Sequence, residues 1–493
     1  MQIRAQKITS KMISNKGGNQ PTKLRGIVSV LCIMALLLGL KPTAAAQTWQ
    51  YPKTLDSKIE RVLNLEFNLT LNPEEPINSP ITTLDNIPVS LQIMITTLLT
   101  GTKERLAWAT KENEKLISDL VKTEEKSAIW NYVYIRLLVN KTMLHTMQSE
   151  YLSAIWTFYK THNLLSASIK KHPNLVPLHT LADLFNKGVE ISSEYDPMLK
   201  LLLPNAIKTD SILLKQNWSV SEKPLFDAFY LFFIKDYDPL NPCPTPKTKV
   251  EQLVYTIYFL NTHNPSKIAE IEKSAQFKHA PIDNFIQGWS SLTTGNYAQA
   301  RQFLNAHLEE KNTVLYKRSS LLGFYFMDII ENKKPSKSKH QEQLQQLPKS
   351  NAWRDRMAEK ELTVQHNPQL LKARLLCDGQ KYEEALSILT SMNSKTIETD
   401  NLLEFHYRKG RILFLQKKYN QALAEYQNAL NPTIATKSYY KPQAAFDCGE
   451  IYRERKDSTN AVKHYKLSLE QANKANRNDI AVKANAALRA FKN

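Results

Sequence analysis

Three glycines in the second half of this 493-residue chain, Gly288, Gly410 and Gly449, are each followed twelve residues later by an alanine: Ala300, Ala422 and Ala461. Four residues beyond each alanine stands a large side chain, Leu304, Tyr426 or Tyr465, and four further on a leucine, Leu308, Leu430 or Leu469. A fourth unit keeps the spacing with Ala373, Ala385 and Leu389, its first small residue being alanine. Tyr297, Tyr382 and Tyr419 precede the second-helix alanine by three residues, and Ser458 holds that place in the last unit. Helices of a hairpin approach to about 8–10 Å only where side chains are small, so the spacing predicts antiparallel pairs in which Gly or Ala on the first helix faces Ala on the second. The larger residues then fill the groove beside that contact and cover the next hairpin.

The rest of the chain suits the same architecture. Only 12 glycines occur, and strand-like alternation is nowhere sustained. Two stretches break the helical pattern: 72–88 (NPEEPINSPITTLDNIP) and 241–248 (NPCPTPKT), where clustered prolines block helix continuation. Between them, apolar residues recur at spacings of three and four, predicting helices over Leu91–Leu99, Lys103–Val121, Ser127–Met147, Glu150–Lys171 and Leu178–Glu190. Tyr151, Ala154 and Phe158 repeat the C-terminal pattern in this half. Gly323 opens a further unit whose twelfth following residue is Pro335, so the polar stretch Glu331 to His340 is expected to loop out and displace its second helix. The expected division is 1–46 leader, 47–240 N-terminal helical domain of degenerate repeats, 241–248 Pro-rich joint and 249–493 repeat domain.

The segment Asn401 to Pro432, with Gly410, Tyr419, Ala422, Tyr426, Ala429 and Pro432 in order, resembles the tetratricopeptide repeat, a helix-turn-helix unit of about 34 residues. The intervals here are longer, 37 to 39 residues between the last three units. The runs LLKARLLCDGQKYEEAL, EFHYRKGRI and SYYKPQAAFDCGEIY are similar to a lineage of exported tetratricopeptide proteins of Bacteroidota. That resemblance implies an all-α solenoid and an exported compartment, and it implies no reaction.

The first 46 residues carry seven Lys or Arg and no acidic residue, then an apolar run from Ile27 to Leu40 and Ala44-Ala45-Ala46. A charged start, a 14-residue apolar run and small residues describe a cleavable export signal, because spanning a bilayer takes about 20 residues. Cleavage is expected before Gln47, placing the protein in the periplasm or outer cell envelope; left uncleaved, the segment would be an anchor. The remainder carries 58 basic against 47 acidic side chains, and residues 366–493 hold 21 against 13. Outside the cytoplasm such a surplus faces acidic proteins, lipid headgroups or cell-wall polymer and not nucleic acid. Three cysteines follow the leader, Cys243, Cys377 and Cys448, too few for a disulfide-stapled fold.

No phosphate loop, His-Glu-x-x-His, Cys-x-x-Cys or Gly-x-Ser-x-Gly motif occurs, so no enzyme, cofactor or metal is expected. Function is expected in the groove lined by the first helix of each hairpin. Residues one turn before, or immediately after, the small contact residue should point into it: Phe285 and Trp289, Leu370 and Arg374, Tyr407 and Arg411, Phe446 and Glu450, then Arg453. Arg374, Arg411 and Arg453 would form a basic strip, with aromatics beside it for affinity. The leading expectation is a scaffold that binds a protein or peptide, acidic in character. The alternatives are a catalytic N-terminal domain on a repeat platform, or binding of anionic wall polymer or headgroups by the basic C-terminal quarter.

Overall fold

A computed structural model describes residues 51–67, 82–123, 126–195, 205–211, 213–215, 218–219, 245–274, 279–332, 337–350, 352–393, 397–431 and 438–491. The export signal expected over 1–46 lies outside the described residues, as does Cys243. Twenty α-helices and two short 3-10 turns, and no strand, occur among the described residues. In the first half they are α1 (Lys53–Leu63), α2 (Asn86–Thr100), α3 (Lys103–Lys122), α4 (Ala128–Met147), α5 (Tyr151–Lys171) and α6 (Val176–Tyr195). There follow α7 (Lys249–Asn261), α8 (Pro265–Ser274), α9 (Asp283–Thr293), α10 (Tyr297–Glu309), α11 (Lys317–Ile330), α12 (Lys337–Gln346) and α13 (Trp353–Glu361). The last seven are α14 (Pro368–Asp378), α15 (Tyr382–Ser391), α16 (Thr399–Leu415), α17 (Tyr419–Ala429), α18 (Tyr440–Glu454), α19 (Ser458–Lys474) and α20 (Asn478–Ala490). Consecutive helices pack on one another, giving an α-solenoid.

One turn joins seven hairpins among the described residues, and it also ends α1, where Leu65 has a φ of 57° and the Glu66 N–H donates to the Arg61 carbonyl at 2.9 Å. Ser149, His263, Gly295, Gln380, Lys417, Lys456 and Asn476 each take a positive φ at the end of a helix. In every case the next N–H donates to the carbonyl five residues back, at 2.8 to 2.9 Å, from Glu150 to His145 through to Arg477 to Ala472. This is the six-to-one closure that ends a helix and turns the chain, satisfying carbonyls the helix leaves open. Five residues after each turn residue comes a buried side chain: Ala154, Ile268, Ala300, Ala385, Ala422, Ala461 or Ala481. The register therefore includes hairpins α4–α5, α7–α8 and α19–α20 as well as the four read from the glycine spacing.

The nearest neighbour of the glycine on the first helix is not the alanine expected there. A methyl placed on Gly410 would come 2.7 Å from the Tyr426 ring, one on Gly449 2.6 Å from Tyr465, and one on Gly288 2.7 Å from Leu304. The glycine makes room for the large side chain four residues beyond the alanine, because that longer group reaches across the hairpin. Ala300, Ala373, Ala385, Ala422 and Ala461 are all fully buried, so their smallness serves the core around that contact.

Two further expectations are corrected. Helix α2 starts at Asn86, inside the stretch read as a break, because Pro88 falls in the first turn, where its missing N–H breaks no hydrogen bond. Part of the polar stretch 331–340 is helical, since α12 begins at Lys337, and α13 then takes the place of the second helix against α11. One apolar core runs from Tyr51 to Leu375, crossing the Pro-rich joint, and Lys249 N–H donates to Asn64 Oδ1 at 3.2 Å.

A buried pair closes α10 onto α11. Lys317, 4% exposed, reaches the carbonyls of His307, Leu308 and Glu310, which end α10. His307 is fully buried, with Nε2 2.9 Å from the Leu315 carbonyl and Nδ1 3.2 Å from that of Pro281. Two carbonyls invite a charged imidazole, but burial, with the Lys317 ammonium adding to it, outweighs them and brings its pKa down to about 4. The ring stays neutral while the unfolded chain takes up a proton below about 6.5, so this contribution is present above pH 6.5 and is lost as pH falls toward 4. The loss should reach about 3 kcal/mol across that window. Glu272, raised by burial to about 7, acts in the opposite sense, its contribution fading as pH rises from 4.5 to 7. Urea midpoints of wild type and His307→Gln against pH isolate the histidine: the wild-type curve should fall more steeply between pH 6.5 and 4.

Candidate functional site: an inner wall of arginines and aromatics

Helices α7, α9, α11, α14, α16 and α18 form one layer, each touching the next, and α9 also touches α14 across α11. Contact between next-nearest neighbours bends this layer, and residues facing the inside of the bend make a shared wall. The bend is fixed where Gly379, the C-cap of α14, meets the end of α9: a methyl there would lie 2.1 Å from the Thr293 carbonyl oxygen.

At the α7 end of this wall is a recess of about 200 Å³, part of it open to solvent, lined by Phe259, Leu260, Pro265 and Ile268 with Trp289 and Thr293. His263 and Asp378 stand at its mouth, 3.7 Å apart. His263 is the positive-φ residue of the α7–α8 turn, which is why its ring projects from the helix end. Arg354 crosses from α13, its guanidinium 5.4 Å over Trp289, and donates to the Leu260 carbonyl at 3.1 Å and Asn261 Oδ1 at 3.2 Å. Asp378 draws the His263 pKa up, but burial and the charges of Arg354, Arg411 and Arg374 outweigh it, so it lies below the ordinary value. Three arginines therefore act on one imidazole from three helices.

Arg374 donates to Glu361 Oε2 at 3.1 Å and lies 5.8 Å from the Phe326 ring. Arg411 sits 3.6 Å from Asp447, which also accepts from the buried Tyr426 hydroxyl at 2.9 Å. Burial disfavours both guanidinium charges, but Glu361 and Asp447 more than compensate and hold them above the ordinary arginine value. Next to them Arg408 donates twice to Glu404, at 3.0 and 3.1 Å, within 5.6 to 5.8 Å of the rings of Tyr407, Tyr439 and Tyr440. Arg477 lies 5.2 Å from the Tyr439 ring and pairs with Asp479.

The residues expected in the groove divide accordingly. Trp289, Arg374 and Arg411 lie on this wall and keep solvent contact, the two arginine side chains being 26% and 36% exposed. Phe285 does not: it is fully buried and stacked 4.5 Å from Tyr316, because one turn before Gly288 the helix faces the core. Leu370 is buried for the same reason, and Tyr407, 5% exposed, is held in the tyrosine cluster. Phe446 packs against Tyr465 with ring centres 5.5 Å apart. Arg453 pairs with Glu450 on its own helix and is half-exposed. The strip of free positive charge is thus a row of arginine–carboxylate pairs.

His263, Arg354, Asp378 and Arg408 escaped the sequence reading. Arg408 adjoins Tyr407 in sequence and could have been found there; Arg354 belongs to a helix outside the repeat spacing. Burial pushes the thiols of Cys377 and Cys448 up to about 12, so both stay protonated. Among the described residues no group of three or more His, Cys, Asp or Glu could hold a metal ion. No protein-family model matches the chain, and no curated protein matches it.

Proposed function

We propose that this protein is an exported scaffold of tetratricopeptide-type hairpins that binds a protein or peptide segment of the cell envelope along its inner wall. The observation that carries the reading is the wall itself: Trp289, Arg354, Arg374 and Arg411 come from four helices and combine aromatic area with guanidinium groups that remain in contact with solvent. Such groups supply much of the energy at protein interfaces. Glu361 and Asp447 hold Arg374 and Arg411 in place, and each guanidinium has further N–H donors that a partner's acidic groups would engage from the solvent side. That engagement favours acidic segments and weakens as salt rises.

The test is retention of an envelope partner by wild type and by Arg374→Gln/Arg411→Gln. Neutral replacements are preferred to glutamate, which would set a second carboxylate against Glu361 and Asp447. Lys417→Gln/Lys418→Gln removes equal charge from the α16–α17 turn. The wall variant should lose the partner at least about tenfold, one such factor being about 1.4 kcal/mol, while the turn variant retains it. Equal loss in both would transfer the effect to net charge and favour wall polymer or headgroups. No loss in either would defeat the groove.

A further inference from the structure

Helix α5 turns Ala154, Thr157, Phe158, Thr161, Leu165, Ser168 and Ile169 into the fold. On its outer face Leu152 is 67% and Trp156 71% exposed, the two most exposed large apolar side chains among the described residues. They stand one turn apart. Single exposed apolar residues are ordinary, but a bare tryptophan beside a bare leucine on one helix face is an adhesive patch. The same face continues through Lys160 and Asn163 to Lys170, about 27 Å from Leu152 at 1.5 Å per residue. Helix α5 carries Lys160, Lys170 and Lys171 and no Asp or Glu. Glu150, just before it, lies 2.6 Å from His145, and the Lys160 ammonium donates to the Tyr134 hydroxyl at 3.0 Å and not to a carboxylate.

We propose that the outer face of α5 docks on an anionic membrane surface, with Leu152 and Trp156 entering the headgroup boundary and the lysines pairing with lipid phosphate. Tryptophan suits that boundary because its ring is apolar and its N–H stays wet. Neither part suffices alone: two apolar side chains bind weakly, and a few lysines add attraction only where lipid is anionic, so the two together give reversible peripheral attachment. No helix among the described residues is long and apolar enough to cross a membrane, and docking requires none. A second copy of the chain is a poorer occupant, since it would bring lysine against lysine.

The protein as recovered from its host is mixed with phosphatidylcholine vesicles with and without phosphatidylglycerol. The emission difference between wild type and Trp156→Phe isolates this indole from the other tryptophans and from any contribution of the leader. It should shift to the blue, and be quenched by lipid brominated near the headgroup, with anionic vesicles only. In co-sedimentation, Leu152→Ser/Trp156→Ser should lower partitioning at least about tenfold, a floor that even partial burial of two large apolar side chains exceeds. Replacing Lys160, Lys170 and Lys171 by Gln should lower it for anionic vesicles alone, and Val364→Ser, at an exposed apolar site elsewhere, should change nothing. Far-ultraviolet circular dichroism checks that these outward substitutions leave the fold intact. An unshifted Trp156 signal, equal binding to neutral vesicles, or lipid-free self-association abolished by Trp156→Ser would each overturn the proposal.

Discussion

Asp355→Ala should cost about 3 to 5 kcal/mol, the range for stripping the acceptor from several buried donors at once. The carboxylate is fully buried on α13 and accepts from the Tyr316 N–H at 2.8 Å and from the Ser319 N–H and Oγ–H at 2.9 Å each. It also accepts from the Ser350 hydroxyl. These donors surround the first turn of α11, whose own N-cap, Tyr316, has a φ of 60° and offers no side-chain cap. Asp355 is therefore the N-cap of a helix 36 residues before it, and its charge faces the positive end of that helix. Alanine leaves these donors without their acceptor. Asp355→Asn, which keeps one acceptor oxygen, should lose roughly half as much. Urea midpoints and amide exchange at Ser319 and Ser320 read the effect; a change below about 1 kcal/mol would mean that α11 does not depend on this cap.

Gly379→Ala should cost about 3 to 4 kcal/mol, at the upper end for overpacking, because the added methyl meets backbone. Its nearest neighbours would be the Thr293 carbonyl oxygen and carbon, at 2.1 and 2.5 Å, and no rotamer change can move them. With φ at −87°, Gly379 is under no conformational demand, so steric contact alone carries the loss. Gly295 supplies the contrast. Its φ is +84°, but a methyl there would find only Leu376 at 3.4 Å, so Gly295→Ala should cost about 1 kcal/mol in backbone strain. Thermal or urea unfolding of the two variants separates the cases, and equal losses would show that the α9–α14 junction can open to admit a methyl. Because that junction sets the bend of the inner layer, Gly379→Ala should also weaken any ligand that needs both Trp289 and Arg374.

The hairpins were legible because packing two helices closely leaves a periodic trace: Gly410 with Tyr426 and Gly449 with Tyr465 stand at one spacing whatever the partner. The helices of the first half were legible from their apolar stripes, α3, α4 and α5 each falling within a residue or so of expectation. The turn was not. Only Gly295 among the seven positive-φ residues that join these hairpins is a glycine, so the usual signal of a left-handed cap is missing at Ser149, His263, Gln380, Lys417, Lys456 and Asn476. Tertiary packing holds those residues in a conformation they do not prefer alone. The α7–α8 and α19–α20 hairpins were missed for a related reason: Thr256 and Leu469 stand where the four units read from the sequence have Gly or Ala.

Local periodicity thus determined by itself that the chain is helical and paired into hairpins, because each helix must bury one stripe and each hairpin must keep its contact small. The tertiary structure alone decided which polar groups meet, because that depends on how hairpins far apart in sequence bend together. Asp355 with Ser319, Gly379 with Thr293, Arg374 with Glu361 and Arg411 with Asp447 come from different helices, separated by 13 to 86 residues. No spacing rule encodes them. The strip of basic residues visible in the sequence became a wall of ion pairs for that reason: a guanidinium drawn into a concave, partly desolvated surface is stable there only beside a carboxylate, and the bend of the solenoid supplies it.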